Sequence, residues 1–531
     1  MEQQTYDVIV IGFGGAGACA AIEAADAEAS VLVLERFDGG GATSRSGGVV
    51  YAGGGTTTQR EAGFDDDPRQ MLRYLQAETG GAVDPGLLRR FCDQSPGDMQ
   101  WLERLGLRFP PRFYPGKATE PPPGHGLYYS GNEVQRGAVA RSAPRGHLPA
   151  ARARSGPVLF EALRQAAGRR GVELRCHSRV AALTTERGRV TGVEVQQLEG
   201  ALALRSHRLL FGAGLASRAV GPSIAALEQR VGRRYRVRAR RGVVICAGGF
   251  VFNAQMMQRH APAHAGCMPL GTPGDDGGGI RLGQSVGGAT ALMEQCAAWR
   301  FIYPPEAFVH GLLINSQGRR VCDESLYGAT LGRHVAAQPD GEAYLVIDGQ
   351  IADQVRGELA ADERLRDHPL KELLDGELNA LVFRKLSARI NLHLNRHRAA
   401  TLEALARRCG IPADALVQTV AEHNQRCADG LPDATGKPDP YRAMLVRPPY
   451  RAIRCNLDNR LFLGPCITLG GLQVDAEQGR VLREDGAPIG GLFAAGRSAV
   501  GICSGGYVSG LSIADCIFSG RRAGRAVMSQ A

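Results

Sequence analysis

No apolar run in the 531-residue chain reaches the roughly 18 residues a membrane-spanning helix needs, so none is expected. No basic n-region, apolar core and cleavage site stand at the start, where MEQQT runs straight into a strand. No two of the thirteen cysteines have CxxC spacing, which excludes a thioredoxin-like dithiol, a CxxCH haem attachment and a zinc pair. The odd number of scattered thiols reads as reduced core residues of a cytoplasmic protein, and no metal site is expected. Only one dinucleotide fingerprint occurs, so a second nucleotide domain for NAD(P)H is not expected.

Glycine is in excess. Its 71 residues are nearly twice the usual share of roughly 7%. Such backbone is costly in helices and strands, and it suggests close approach to a bound group. Length fits two or three domains. The net charge of +10 permits acidic partners without demanding them, because the arginine excess is spread along the chain.

The most informative stretch is YDVIVIGFGGAGACAAIEAADAEASVLVLER. Tyr6 to Ile11 reads as a buried parallel strand. Gly12 permits the tight turn that follows. Gly14 lets backbone approach a pyrophosphate, and Gly17 lets the helix pack close to the strand. The helix N-terminus offers unpaired N–H groups and a positive dipole end. A second strand, Ser30 to Leu34, ends at Glu35, an acceptor for a ribose diol. Gly39 to Thr56, GGGATSRSGGVVYAGGGT, is small and hydroxyl-rich and suits a loop around a large planar cofactor. FAD is therefore expected rather than NAD.

IGGLFAAGRSAVGI (Ile489 to Ile502) runs as a strand into Ala495-Gly496-Arg497, and GLSIADCIFSGRRAGRAV follows as a helix. This pattern resembles the flavoprotein superfamily of fumarate reductases, succinate dehydrogenase flavoprotein subunits and 3-ketosteroid dehydrogenases. Three further segments fit the resemblance in family order: RARRGVVICAGGF (Arg238 to Phe250), GTPGDDGGGIRLGQSVGG (Gly271 to Gly288) and ITLGGLQVD (Ile467 to Asp475). The resemblance implies an α/β protein. A Rossmann-like FAD domain, a parallel sheet with helices on its faces, would be split between residues 1–288 and 450–531. An α+β catalytic cap would occupy 289–449. It implies cofactor contacts from Gly12, Gly14, Gly15, Ala16, Gly17, Glu35, Arg36, Ala42, Thr43, Ser44, Ser46, Gly47, Gly48, Val180, Ala247, Gly248, Gly249, Asp276, Gly496, Leu511, Ser512 and Ile513. Asp275 and Asp276 read as structural groups near the ribityl chain or the next helix cap. Because GGATSRSGG lacks the histidine that tethers the flavin in succinate dehydrogenases, FAD is expected to be non-covalent.

Within the cap span, AYLVIDGQ reads as a strand. TLEALARRCG reads as an amphipathic helix ended by Gly410, with a second helix in ADALVQTVAEHNQRC. Residues 196–241 depart from the family's simple hairpin. They read as a surface helical insertion, with a membrane-surface or oligomer contact as the alternative. Its arginines, several alternating with apolar residues, suit a half-exposed strand better than nucleic acid.

GICSGGYVSG (Gly501 to Gly510) carries the substrate question. In fumarate reductases this position holds a carboxylate-clamping arginine; here the match is Tyr507. A histidine precedes the relatives' T-x-G-G motif, whereas here Ile467 does. Bidentate cationic donors for succinate are thus missing at two places. Gly505 to Gly510 resembles the G-Y-x-S-G loop of 3-ketosteroid Δ4-(5α)-dehydrogenases. In GLLINSQGRRVCDESLYGATLGR, Tyr327 stands where reductases deliver a catalytic arginine, and Arg333 lies past that position. An apolar pocket with tyrosines suits desaturation beside a ketone, which needs a base at the α-carbon and donors at the carbonyl oxygen. The resemblance gives Tyr507 the proton, Ser509 an orienting or relaying role, and Tyr327 a share in either the base role or the pocket. N–H groups at Leu511 to Ile513 are expected at the flavin. Tyr128 and Tyr129 are candidates for the substrate mouth, and His125 and His147 read as surface or loop residues.

The reading is therefore an FAD-dependent dehydrogenase of an apolar, steroid-like ketone, forming the Δ4 bond of a 5α-3-ketosteroid. A Δ1-dehydrogenase or another enone-forming or fumarate-reductase-like flavoenzyme stays open, as does a flavin-binding protein used structurally or as an RNA-modification partner. Without an NAD domain or haem motif, the electron acceptor is a quinone, a soluble carrier or oxygen.

Overall fold

The computed structural model describes residues 4–151, 154–215, 217–361, 385–462 and 464–529. Its centre is a parallel core of strands Pro488–Ala494, Arg233–Ile245, Gln4–Ile11, Val31–Leu34 and Glu173–Arg175, in that spatial order. Val8 to Val10 and Val31 to Leu34 are buried, as β-branched and leucine runs covered on both faces should be. The antiparallel hairpin Ser178–Glu186 and Arg189–Gln197 joins through Arg233–Ile245, and Arg480–Leu482 closes the other edge. Residues far apart in sequence thus complete one sheet, in a mixed α/β fold.

The first helix, Gly15–Asp26, and the last, Leu511–Met528, pack side by side. Glycine makes this possible. A Cβ on Gly520 would stand 2.4 Å from the Ala16 carbonyl oxygen, and one on Gly524 2.4 Å from that of Ala20. Glu23 then pairs with Arg521 and Arg525 across the contact.

A second, antiparallel sheet consists of Leu312–Asn315, Ala343–Ile347, Tyr450–Arg454 and Arg396–Ala399. The expected strand in AYLVIDGQ and both expected helices form, as Leu402–Cys409, ended by left-handed Gly410, and Ala413–Ala428. Tyr450–Arg454, expected at the start of the second FAD-domain segment, pairs with Tyr344–Ile347 in this sheet.

The insertion is also shorter than 196–241. Gln196 and Gln197 end a sheet strand, and Arg233 begins the 13-residue strand that continues into the core. Between them lie helices Ala201–Gly214 and Gly221–Val231. The arginine-rich half alternates as expected, with Val237 and Ala239 buried while Arg236 and Arg238 project outward to Glu194 and Glu186.

Candidate active site

A cavity of about 1220 Å³ runs from the glycine turn of the first strand to a cluster of aromatic side chains. At the turn, Gly12 has φ +95°, and a Cβ there would lie 2.6 Å from the Cys246 carbonyl oxygen. Gly14 caps the first helix without a side chain of its own, and Gly15 N–H donates to Thr43 Oγ1 at 3.0 Å. Glu35 accepts from Phe13 N–H at 2.7 Å and from Phe37 N–H at 2.8 Å, so it fixes the loops on both sides of the turn. Burial raises its carboxyl above the ordinary range.

Arg497 is buried. Its Nη2 donates to Asp275 Oδ1 at 2.8 Å, while Nη1 has no protein partner among the described residues. Asp275 also accepts from the N–H groups of Gly249 and Thr272, and so ties the Gly248–Gly249 turn to Arg497. A glycine cradle, a helix N-terminus and a buried guanidinium with an open donor fit a long, anionic, heteroaromatic cofactor.

The same cavity is lined by Trp299, Phe301, Pro304, Tyr327, Ile467, Tyr507 and Ser509. Trp299 Nε1–H donates to the Tyr327 hydroxyl at 2.7 Å, and its ring meets that of Tyr507 edge-on, with centroids 5.1 Å apart. Burial pushes the Tyr327 phenol up to about 12, against hydrogen bonds from Trp299 and Ser509 that stabilise its anion. Tyr507 is also raised well above the ordinary phenol value by burial. Burial also raises the Tyr128 phenol well above the ordinary value, opposed by Ser509, and its hydroxyl donates to the Thr119 carbonyl at 3.2 Å.

Residues 7–510 match the family described as FAD binding domain. The 3-oxo-5-alpha-steroid 4-dehydrogenase of Comamonas testosteroni is 34% identical over 515 residues, 92% of each chain. The 3-oxosteroid 1-dehydrogenase of Mycobacterium tuberculosis strain H37Rv is 26% identical over 581 residues, 93% of each. The chain belongs to the FAD-binding flavoprotein family. Among solved structures, the 3-ketosteroid-Δ4-(5α)-dehydrogenase of Rhodococcus jostii RHA1, in complex with 4-androstene-3,17-dione, is 33% identical with a TM-score of 0.81. That match covers 99% of this chain and 97% of the other. A flavocytochrome c3 fumarate reductase, 23% identical with a TM-score of 0.61, shares the fold.

Most residues singled out for this flavoprotein's FAD line the cavity: Gly12, Gly14, Gly15, Ala16, Glu35, Arg36, Ala42, Thr43, Ser46, Gly47, Gly48, Val180, Ala247, Gly248, Asp276, Gly496, Ser512 and Ile513. Four do not. Gly17 packs against the Gly12 carbonyl, and Gly249 against Thr468. Ser44 turns its hydroxyl to the Gly41 carbonyl. Leu511 is fully buried, and its N–H donates to the Val508 carbonyl.

Other expectations also change. Tyr128 and Tyr129 do not line the cavity; Tyr128 is fully buried on the hairpin of Leu127–Tyr128 and Gly146–His147. His147 is buried between Thr56 and the Arg145 carbonyl, and is no surface residue. His125 lines the cavity. Arg333 donates to the carbonyls of Glu78 and Gly505, holding the Tyr507 loop from behind. Sequence reading missed Trp299; its only signal was the aromatic-rich WRFIY run (Trp299 to Tyr303) after the strand Cys296–Ala298.

Proposed function

We propose that this flavoprotein desaturates a 5α-3-ketosteroid, introducing the Δ4 bond beside its carbonyl. The observation that carries the reading is the pair of phenols, Tyr327 and Tyr507, held by Trp299 in the apolar wall of the cavity that bears the FAD cradle. The two relatives that match at a third identity over nearly their whole length are named for this reaction. The carboxylate clamp of a fumarate reductase finds no counterpart at Tyr507 or Ile467.

When bound, FAD supplies the acceptor for the hydride leaving the β-carbon. The chain's own residues manage the proton. Sequence reading assigns it to Tyr507, with Ser509 as helper. The indole N–H of Trp299, which donates to the Tyr327 hydroxyl at 2.7 Å, instead favours Tyr327 as proton acceptor, because that bond stabilises its oxyanion. Ser509 also stands beside Tyr128, whose hydroxyl is fixed by donating to the Thr119 carbonyl at 3.2 Å. Tyr507, held protonated by burial, suits donation to the carbonyl oxygen, which makes the α-proton acidic. Trp299, Phe301, Pro304 and Ile467 give the site apolar lining.

The finer layout belongs to the same reading: a split FAD domain and a cap that brings Tyr327 to the flavin. FAD is held non-covalently. A quinone, a soluble carrier or oxygen reoxidises it in the cytoplasm. Among the described residues, no helix is long and apolar enough to cross a membrane. Helix Ala201–Gly214 exposes Leu202 and Leu209 beside Arg205 and Arg208, the face a peripheral membrane contact would use.

The test is product analysis with a saturated 5α-3-ketosteroid, together with Tyr327→Phe and Tyr507→Phe kinetics. A Δ4 product is expected, with Tyr327→Phe losing kcat. A Δ1 product would transfer the reading to its sister reaction.

A further inference from the structure

The two insertion helices, Ala201–Gly214 and Gly221–Val231, are not a free surface appendage. Phe211 and Leu215 line the cavity at the end beyond Glu35, together with Arg36, Phe37 and Val180. The Phe211 ring lies 4.7 Å from that of Phe37, which in turn stacks on His207 at 5.0 Å and 13°. From the second helix, Glu228 reaches back to Arg36, accepting from Nε at 2.7 Å and Nη2 at 2.9 Å. Arg36 Nη1 donates to Asp276 Oδ2 at 2.8 Å, so the guanidinium is held from two sides.

Glu228 is 1% exposed, and a carboxylate at that depth is tolerated only when paired and hydrogen-bonded. It has Arg36 and, at 3.0 Å, His207 Nε2. His207 Nδ1 stands 3.0 Å from His177 Nδ1. The chain continues from His177 Nε2 to Asp38 Oδ1 at 3.1 Å, and Asp38 also accepts from Arg208 Nη2 at 2.8 Å. A buried chain of this kind fastens the insertion to the residue directly after the ribose-binding acid.

In a nucleotide fold of this type the pyrophosphate lies at the glycine turn and the ribose at the acid ending the second strand, which leaves the base beyond that acid. Here that space is walled by two phenylalanines, a leucine and a fixed guanidinium, a set suited to the faces and edge of a flat heteroaromatic base. We propose that the two insertion helices clamp the adenosine half of FAD: Glu228 fixes Arg36, and Phe211 with Leu215 closes over the base. The proposal rests on FAD binding alone and is independent of the steroid assignment.

The test follows FAD release from diluted holoprotein by the rise in free-flavin fluorescence. The released protein is then titrated with FAD and with FMN, which lacks the adenosine half. Glu228→Gln and Phe211→Ala should each release FAD about tenfold faster or more, as expected for a lost charge-assisted bond or aromatic contact. FMN affinity should match the parent. Phe211→Ala leaves every ion pair in place, so it remains informative if Glu228→Gln folds poorly. Unchanged FAD release in Phe211→Ala, or FMN affinity falling in step with FAD, would overturn the clamp.

Discussion

The indole N–H of Trp299 donates to the Tyr327 hydroxyl at 2.7 Å, while the same indole meets the Tyr507 ring edge-on at 78°. One side chain thus sets both phenols. Trp299→Phe keeps the ring contact but removes the donor. Its kcat is expected to fall about tenfold or more while KM stays close to the parent value, because the lost bond stabilises the Tyr327 anion. Steady-state kinetics of this variant is the check. An unchanged kcat would remove Trp299 from the chemistry.

Tyr327→Phe removes the proposed proton acceptor and should cost about 10²- to 10⁴-fold in kcat. Tyr507→Phe removes a carbonyl donor and should cost about 10²- to 10³-fold. The larger loss is expected at Tyr327. The opposite ranking would return the proton to Tyr507.

A phenol raised to about 12 is almost wholly protonated at neutral pH. The competent phenolate fraction then grows about tenfold per pH unit below that value. We expect kcat/KM to climb steadily from about pH 7 to beyond pH 9 without the plateau an unperturbed carboxylate or histidine base would give. A profile flat across that range would exclude a tyrosine base.

His147 offers a stability test separate from catalysis. It is buried, with its ring between the Thr56 hydroxyl and the Arg145 carbonyl, and burial lowers its pKa from the ordinary value to about 4. A depressed histidine pKa means that the unfolded chain binds the proton first as pH falls. Its contribution is therefore fully present above about pH 6.5 and is lost progressively down to about pH 4, roughly 3 kcal/mol in all. His147→Gln lacks this term, so the stability gap between parent and variant should narrow on acidification. Thermal or denaturant unfolding at about pH 7 and pH 5 measures it.

The parts legible in the sequence are those built from contiguous residues. The Gly12–Gly17 turn and the strand leading to Glu35 announce themselves, because glycine has to stand where backbone meets backbone, as at Gly12 and Cys246. Tyr327, Tyr507 and Ser509 were singled out through family position, and all three line the cavity. What stayed hidden depends on side-chain pairing across long separations. Ser509 meets Tyr128 and Tyr327 only because Ser130 and Ser509 exchange backbone and side-chain bonds across 379 residues. Glu228 likewise looks like an ordinary helix carboxylate until Arg36, 192 residues away, is seen against it.

The central claim is hydride removal from a saturated 3-ketosteroid at this cavity. It is tested most directly by anaerobic stopped-flow absorbance of the yellow holoprotein, mixed with a 5α-3-ketosteroid and separately with succinate. The account predicts rapid bleaching of the long-wavelength flavin band by the steroid and none by succinate. Bleaching by succinate, with no response to the steroid, would contradict it.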